Sequence, residues 1–329
     1  MQILVFGLGA LGHVFATLLQ KAGHQVVGIG RPSVTKAIKE KGIQVKGIWG
    51  EHKANLKGVY TSVSELPSQN FDLMMLTVKS YDIKTAVESL KPLVAPNTLV
   101  MCVQNGYGNY EIASEVLGDN HVVLAMVIFG AELLAPGKVK VTVCADDVII
   151  GSPKQAISSH RLENLATLFN QARIPTRFSP DILSYVWDKI LYNCALNPLG
   201  AILEVNYGVL GEKNELRTIM NEIIKEIFII AKAYDIPLFW SSAESYLEHF
   251  YTKLLPPTAA HYPSMLQDIQ KGKRTEIDAL NGAIVRLGKN AGIKTPINSI
   301  ITYLIKGKEQ ICSQRKKREF YRGNKLSKK

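Results

Sequence analysis

The chain has 329 residues, 47% hydrophobic and 20% charged, with a formal net charge of +11. That length carries two domains and a substantial core, and no apolar run approaches the roughly 18 residues of a membrane span. The charge is local: Lys306 to Lys329 holds ten Lys/Arg against two acids, which leaves only +3 for the residues before it.

That remainder is too small for a nucleic-acid binder. The block Arg315-Lys316-Lys317-Arg318 has no aromatic platform or heptad pattern around it. It reads as a frayed, solvated tail, with contact to nucleic acid or a membrane surface as the other reading. Met1-Gln2-Ile3 lacks the basic lead-in of a signal peptide. Cys102, Cys144, Cys194 and Cys312 have neither metal nor redox spacing, so reduced thiols in a cytoplasm are expected. The seven histidines form no metal pair.

In chain order, the run Ile3-Leu4-Val5-Phe6 predicts a strand, and Gly7-Leu8-Gly9-Ala10-Leu11-Gly12 a turn into an amphipathic helix with apolar Val14, Phe15, Leu18 and Leu19. Strand, G-x-G-x-x-G and helix together seat a dinucleotide pyrophosphate. Gly7 makes the tight turn, Gly9 lets the backbone approach the phosphates, and Gly12 lets helix and strand pack closely. Amides at the positive helix end face the anion. The plainer reading is a glycine turn that only joins two elements.

A second strand, Gln25–Ile29, ends where an NAD site places an acid for the ribose 2′-hydroxyl. Here the chain reads Gly28-Ile29-Gly30-Arg31-Pro32-Ser33, with no acid. Arg31 and Ser33 suit a 2′-phosphate, so NADP(H) is the expected cofactor. A solvated loop charge is the other reading of Arg31.

Further strands are expected at Ile43–Lys46, Phe71–Thr77, Thr98–Val103 and Val122–Ile128, alternating with helices near Val34–Lys41, Ile83–Leu90 and Tyr110–Leu117. Val139–Val143 and Val148–Ile150 read as an antiparallel hairpin at the sheet edge. A helix near His160–Ala172 and a strand near Ile174–Phe178 complete this half. After Ser179-Pro180 the pattern is helical throughout: Asp181–Asn197, Asn214–Tyr234, Ser241–Phe250, Lys273–Ala291 and Pro296–Lys306. The fold class is therefore α/β: an N-terminal Rossmann-type, doubly wound, mostly parallel sheet (1–180), a C-terminal all-helical domain (181–310) and a basic tail (311–329). A fold of this plan puts its site outside the carboxyl ends of the strands, between the domains.

Within the segment 187–198, Lys189, Asn193 and Asn197 recur at i, i+4 and i+8, one narrow polar stripe on a helix otherwise apolar at Ile190, Leu191, Ala195 and Leu196. A desolvated lysine suits the proton transfer that accompanies hydride delivery to a carbonyl. A solvated face would carry more charges. Further on, Ser264 follows a proline, where capping a helix is its ordinary role, and Glu276 and Asn281 read equally well as helix-surface residues.

These stretches, with Gln104-Asn105-Gly106, Pro198-Leu199, Ser264-Met265-Leu266-Gln267-Asp268 and Thr275-Glu276-Ile277-Asp278, resemble the ketopantoate reductase family over nearly the whole chain, to about residue 310. The resemblance implies NADPH-dependent reduction of 2-dehydropantoate to pantoate, on the route to pantothenate and coenzyme A. It implies Lys189 as general acid, Asn193 and Asn197 as substrate-binding amides, and Ser264 on the substrate carboxylate. Glu276 is implied at substrate or cofactor, Asn105 at nicotinamide and substrate, and Lys79 beside the cofactor or as a loop charge. In one departure, Tyr207 stands before Gly208 where the family often has asparagine, with Asn206 one position earlier. The expected partner is a small 2-oxo acid, with a homodimer compatible and neither nucleic acid nor membrane. A reductase of another 2-oxo acid and a non-catalytic NADP(H) sensor are the rival readings.

Overall fold

The computed structural model describes residues 1–68 and 70–326, with side chains to Gln314. By packing contacts the chain forms two compact units, Met1–Gln104 with Gly108–Ile182, and Asn105–Tyr107 with Leu183 onward.

The first unit runs β1 (Gln2–Phe6), α1 (Ala10–Lys21), β2 (Gln25–Ile29), α2 (Pro32–Lys41), β3 (Ile43–Gly47), β4 (His52–Ala54), β5 (Gly58–Tyr60), β6 (Leu73–Leu76), α3 (Ile83–Leu90), β7 (Leu99–Cys102), α4 (Asn109–Leu117), β8 (Val122–Met126), β9 (Phe129–Ala135), β10 (Lys138–Cys144), β11 (Val148–Gly151), α5 (Ser159–Gln171) and β12 (Thr176–Phe178). Eight strands form the main sheet in the order β12-β11-β8-β7-β6-β1-β2-β5. Every pairing in it is parallel except β8 with β11. The order reverses between β1 and β6, which is the switch point where doubly wound folds bind ligands. Strands β1, β6, β7 and β8 are apolar because both faces of the sheet are covered.

Two expectations need correction. Ile43–Lys46 is not in the main sheet, and Val139–Val143 does not pair with Val148–Ile150. Instead β3 and β10 lie in a separate four-stranded sheet, β4-β3-β10-β9. There β10 pairs antiparallel with β9 and parallel with β3, while β11 joins the main sheet. The true hairpin turns at Pro136-Gly137, with Gly137 at φ 83°. Its first strand, Phe-Gly-Ala-Glu-Leu-Leu-Ala, contains good helix formers, so composition hides it.

The second sheet explains α1. That helix packs against strands of both sheets, and Gly12 to Leu19 are all buried. Its middle turns are enclosed between the sheets, and its polar residues Gln20, half-buried, and Lys21, exposed, fall at the C-terminal end. Buried His13 lies on it. Its Nδ1 pairs with the Gly9 carbonyl (2.7 Å) and its Nε2 with the Gly137 amide (3.2 Å). A carbonyl only accepts and an amide only donates, so the ring is neutral with its proton on Nδ1.

The second unit contains α6 (Ile182–Leu203), α7 (Tyr207–Glu212), α8 (Asn214–Ala233), α9 (Ala243–His249), α10 (Ser264–Gln270), α11 (Asn281–Ala291) and α12 (Pro296–Leu326). Helix α6 passes through Pro198 instead of ending at Asn197. The expected helix Lys273–Ala291 divides into a loop, a 3-10 turn Ile277–Ala279 and α11, because Leu280 leaves helical geometry at φ −103°, ψ −113°. Helix α12 continues twenty residues past Lys306, so the backbone to Leu326 is helical rather than frayed. Near residue 308 it is anchored: Lys308 Nζ donates to the Ala201 (2.8 Å) and Ile202 (2.9 Å) carbonyls at the end of α6, and Glu309 accepts from the Thr275 amide (2.6 Å). The side chains of Arg315 to Arg318 lie outside the described residues. No helix among the described residues is long and apolar enough to cross a membrane, and no group of three possible metal ligands occurs there.

Candidate active site

The turn after β1 is built by contacts that exclude side chains. Gly7 has φ 115°, and a Cβ there would lie 2.6 Å from the Val78 amide nitrogen. A Cβ on Gly12 would fall on the Gly7 carbonyl oxygen. Gly9 is different: nothing lies within 4 Å of where its Cβ would be. Gly7 and Gly12 are therefore required by packing, whereas Gly9 leaves a cradle open beside the helix end. Gly9 is also the N-cap of α1, with no capping side chain and no acid in the first turn. The amides of Ala10, Leu11 and Gly12 thus have no carbonyl one turn earlier to bond, and an anion suits them. Leu8 is buried against Gly28 and Gly30, and its amide, like that of Gly7, donates to the Ile29 carbonyl.

Arg31 is exposed as the N-cap residue of α2, directly after β2, with Ser33 exposed beside it. Lys79 follows β6 on the other side of the switch point and precedes a short 3-10 turn. Thr77, directly after β6, locks the region by donating to the Gly7 carbonyl (2.7 Å); nothing in its sequence neighbourhood marks this contact. A dinucleotide with a 2′-phosphate fits this donor set, since the glycine turn is open at Gly9 and Arg31 supplies a cation where an acid would repel.

In the second unit, Lys189, Asn193 and Asn197 form one row along α6, and both asparagines are buried. Burial pulls the Lys189 ammonium down to about 8, while the Glu276 carboxylate acts to hold it up. Glu276 immediately precedes the 3-10 turn at 277–279. Asp188 accepts a 2.7 Å bond from the Trp240 indole and is raised by burial.

Asn105 groups with this unit, not with the sheet whose strand it follows. The Tyr107 amide donates to the Ala279 carbonyl (2.7 Å), and Tyr107 packs on Trp187 with ring centroids 5.5 Å apart. Gly106, at φ 88°, has that same carbonyl where a Cβ would be. Asn105 is thereby tied to the turn that follows Glu276. The sequence signal was available in the glycine after it.

Ser264 is exposed at the first position of α10 and does not cap it, because Pro263 holds the N-cap position. A Cβ on Gly200 of α6 would touch Pro263 (2.7 Å), so α10 starts against the second half of α6. Asn206 and Tyr207 divide the labour at the departure. Asn206 caps α7 by accepting from the Val209 amide (3.2 Å). The buried Tyr207 hydroxyl donates to Asn197 Oδ1, and burial raises it so that it keeps its proton. Asn197 is left with its NH2 as the free side of the amide. Asn281, by contrast, is not a surface residue but fully buried.

A nucleotide cradle on a doubly wound sheet, followed by a helical unit with a desolvated lysine among amides, defines a nicotinamide-dependent reductase. Comparison with known proteins narrows this. The family model Ketopantoate reductase PanE/ApbA matches residues 3–155, and its C-terminal counterpart matches residues 181–309. The chain belongs to the ketopantoate reductase family. It is 48% identical over 309 residues to a 2-dehydropantoate 2-reductase of Aquifex aeolicus, covering 94% of this chain and 97% of that one. It is 35% identical to one of Pyrococcus abyssi, covering 94% and 99%. Among solved structures, a PanE/ApbA family ketopantoate reductase from Ralstonia eutropha is similar with TM-score 0.84 and 30% identity, over 95% of this chain and 99% of that one. A D-mandelate dehydrogenase solved with NADH and anilino(oxo)acetate is similar with TM-score 0.84 and 28% identity, over the same shares.

Proposed function

We propose that this protein reduces 2-dehydropantoate to pantoate with NADPH, and that Lys189 protonates the ketone oxygen. The observation that carries the reading is Lys189 in one row with two buried amides on α6, where burial draws its ammonium down to about 8. The 48% identity to a 2-dehydropantoate 2-reductase supports the substrate.

The turn Gly7-Leu8-Gly9 shapes the cradle, its own amides being bonded within the protein, and the amides of Ala10, Leu11 and Gly12 at the helix end hold the pyrophosphate, with Arg31 on the 2′-phosphate and Lys79 beside the ribose. When bound, the reduced nicotinamide supplies a hydride to the ketone carbon. Lys189 then hands its Nζ proton to the oxygen as the carbonyl π pair becomes an O–H bond, and the neutral amine recovers a proton from water. Glu276 keeps the amine cationic before the step. Asn105, Asn193 and Asn197 donate to the substrate oxygens, and the Ser264 hydroxyl holds the carboxylate. All four cysteines are free, which accords with a reducing compartment such as the cytoplasm.

Loss of NADPH absorbance in the presence of 2-dehydropantoate tests the reading, against a panel of branched 2-oxo acids lacking the hydroxymethyl group. We expect the highest kcat/KM with 2-dehydropantoate. A clear preference for the plain branched acids overturns the substrate assignment, and turnover of none overturns the reductase.

A further inference from the structure

Helix α6 contains a break that another helix repairs. Pro198 has no N–H, so the carbonyl four residues earlier, that of Cys194, loses its helical donor, and the proline ring crowds it outward. A buried carbonyl left in this state is costly. The missing donor comes from Asn281 at the start of α11, whose Nδ2 lies 3.1 Å from the Cys194 oxygen. The other Nδ2 hydrogen goes to Asn298 Oδ1 (3.0 Å) at the start of α12. Asn298 Nδ2 donates in turn to Glu226 Oε2 on α8 (2.7 Å), and the same carboxylate accepts from the Ile297 (2.8 Å) and Asn298 (2.9 Å) amides. Asn281 and Asn298 are fully buried. Among the described residues Asn281 Oδ1 has no partner, so this amide is held for its donors alone.

The repaired carbonyl belongs to the turn that separates Lys189 and Asn193 from Asn197. We propose that Asn281 is a positioning residue for this polar stripe: it replaces the hydrogen bond that Pro198 removes, and so fixes the Asn197 turn relative to the Lys189 turn. The inference rests on the reading of Lys189 as proton donor. A proline here frees a carbonyl to be gripped from outside, and the charge of Glu226 polarises the amide chain that grips it.

The test is a double-mutant cycle of Asn281→Leu and Pro198→Ala, since alanine at 198 restores the backbone donor. kcat and KM for 2-dehydropantoate, the Kd for NADPH and amide hydrogen exchange across residues 193–203 are measured in the four proteins. Misplacement by about 1 Å at a distance from the chemistry costs on the order of 10²-fold, and we expect that loss in kcat/KM for Asn281→Leu. NADPH affinity should stay within about twofold and exchange should rise locally in α6. In the Pro198→Ala background, the same substitution should cost less than about threefold and leave the exchange protected. Equal losses in both backgrounds, or an unchanged kcat/KM in Asn281→Leu, overturn the proposal. If Asn281→Leu does not fold, Asn281→Ser, which admits a water at the carbonyl, replaces it. The same dependence on residue 198 is expected at smaller amplitude, and its absence overturns the proposal equally. Hydrogen exchange needs no substrate, so failure of the clamp is distinguished from failure of the reductase reading.

Discussion

Lys189 shows how one side chain answers to two opposed demands. Burial favours its neutral form, and the Glu276 carboxylate favours the cation; the resulting value near 8 keeps the acid form dominant at neutral pH. Only that form donates, so kcat/KM, which reports the free enzyme, should be flat at neutral pH and fall as pH rises through about 8; a profile level to well above that value contradicts the assignment. Removing a positioned acid costs about 10²–10⁴-fold, which we expect in kcat for Lys189→Ala, with the Kd for NADPH nearly unchanged by fluorescence titration. Arg31→Ala should act on the other partner alone, weakening NADPH by roughly tenfold while leaving NADH almost untouched, because only the former carries the 2′-phosphate. Equal effects on both cofactors remove that role. The lysine and its two asparagines were legible from spacing, since an i, i+4, i+8 row needs nothing but a helix. Asn281 was not, because its partner is a carbonyl 87 residues away in sequence.

At the scale of elements, local chemistry tells how a segment begins better than how it ends. The strand-turn-helix start was readable because Gly12 answers to the Gly7 carbonyl within the same turn, although Gly7 itself is closed in by Val78 from a distant segment. Gly12→Ala tests this: its added methyl meets the Gly7 carbonyl, and overpacking of this kind costs about 1–3 kcal/mol. We expect it as a loss of about tenfold or more in NADPH affinity, measured by titration, with wild-type affinity as the contrary result. Helix ends were harder. Proline normally ends a helix, yet α6 continues because Asn281 supplies the lost donor, and α12 continues past Lys306 where Lys308 grips the end of α6. Both extensions depend on hydrogen bonds between segments distant in sequence.

For the first unit as a whole, alternation of strands and helices made the doubly wound sheet legible, because covered parallel strands are apolar in short runs. Which sheet each strand joins was not legible. β3 and β10 look like members of the main sheet in isolation, and only pairing between residues about a hundred apart assigns them to the smaller one. His13 joins the two regions through a single neutral ring, and burial lowers its pKa from 6.5. Below 6.5 the unfolded chain takes up the proton first, so this contribution to stability is complete above that pH and drains away as the medium acidifies. The gap in denaturant midpoint between wild type and His13→Gln should therefore shrink on acidification, and a constant gap argues against it. Charging the ring would set an N–H against the Gly137 amide while the Gly9 carbonyl stays gripped. One proton would thus slacken the small sheet's hairpin where it meets the glycine turn after β1, and because burial holds the ring neutral, only acid well below 6.5 would bring that about.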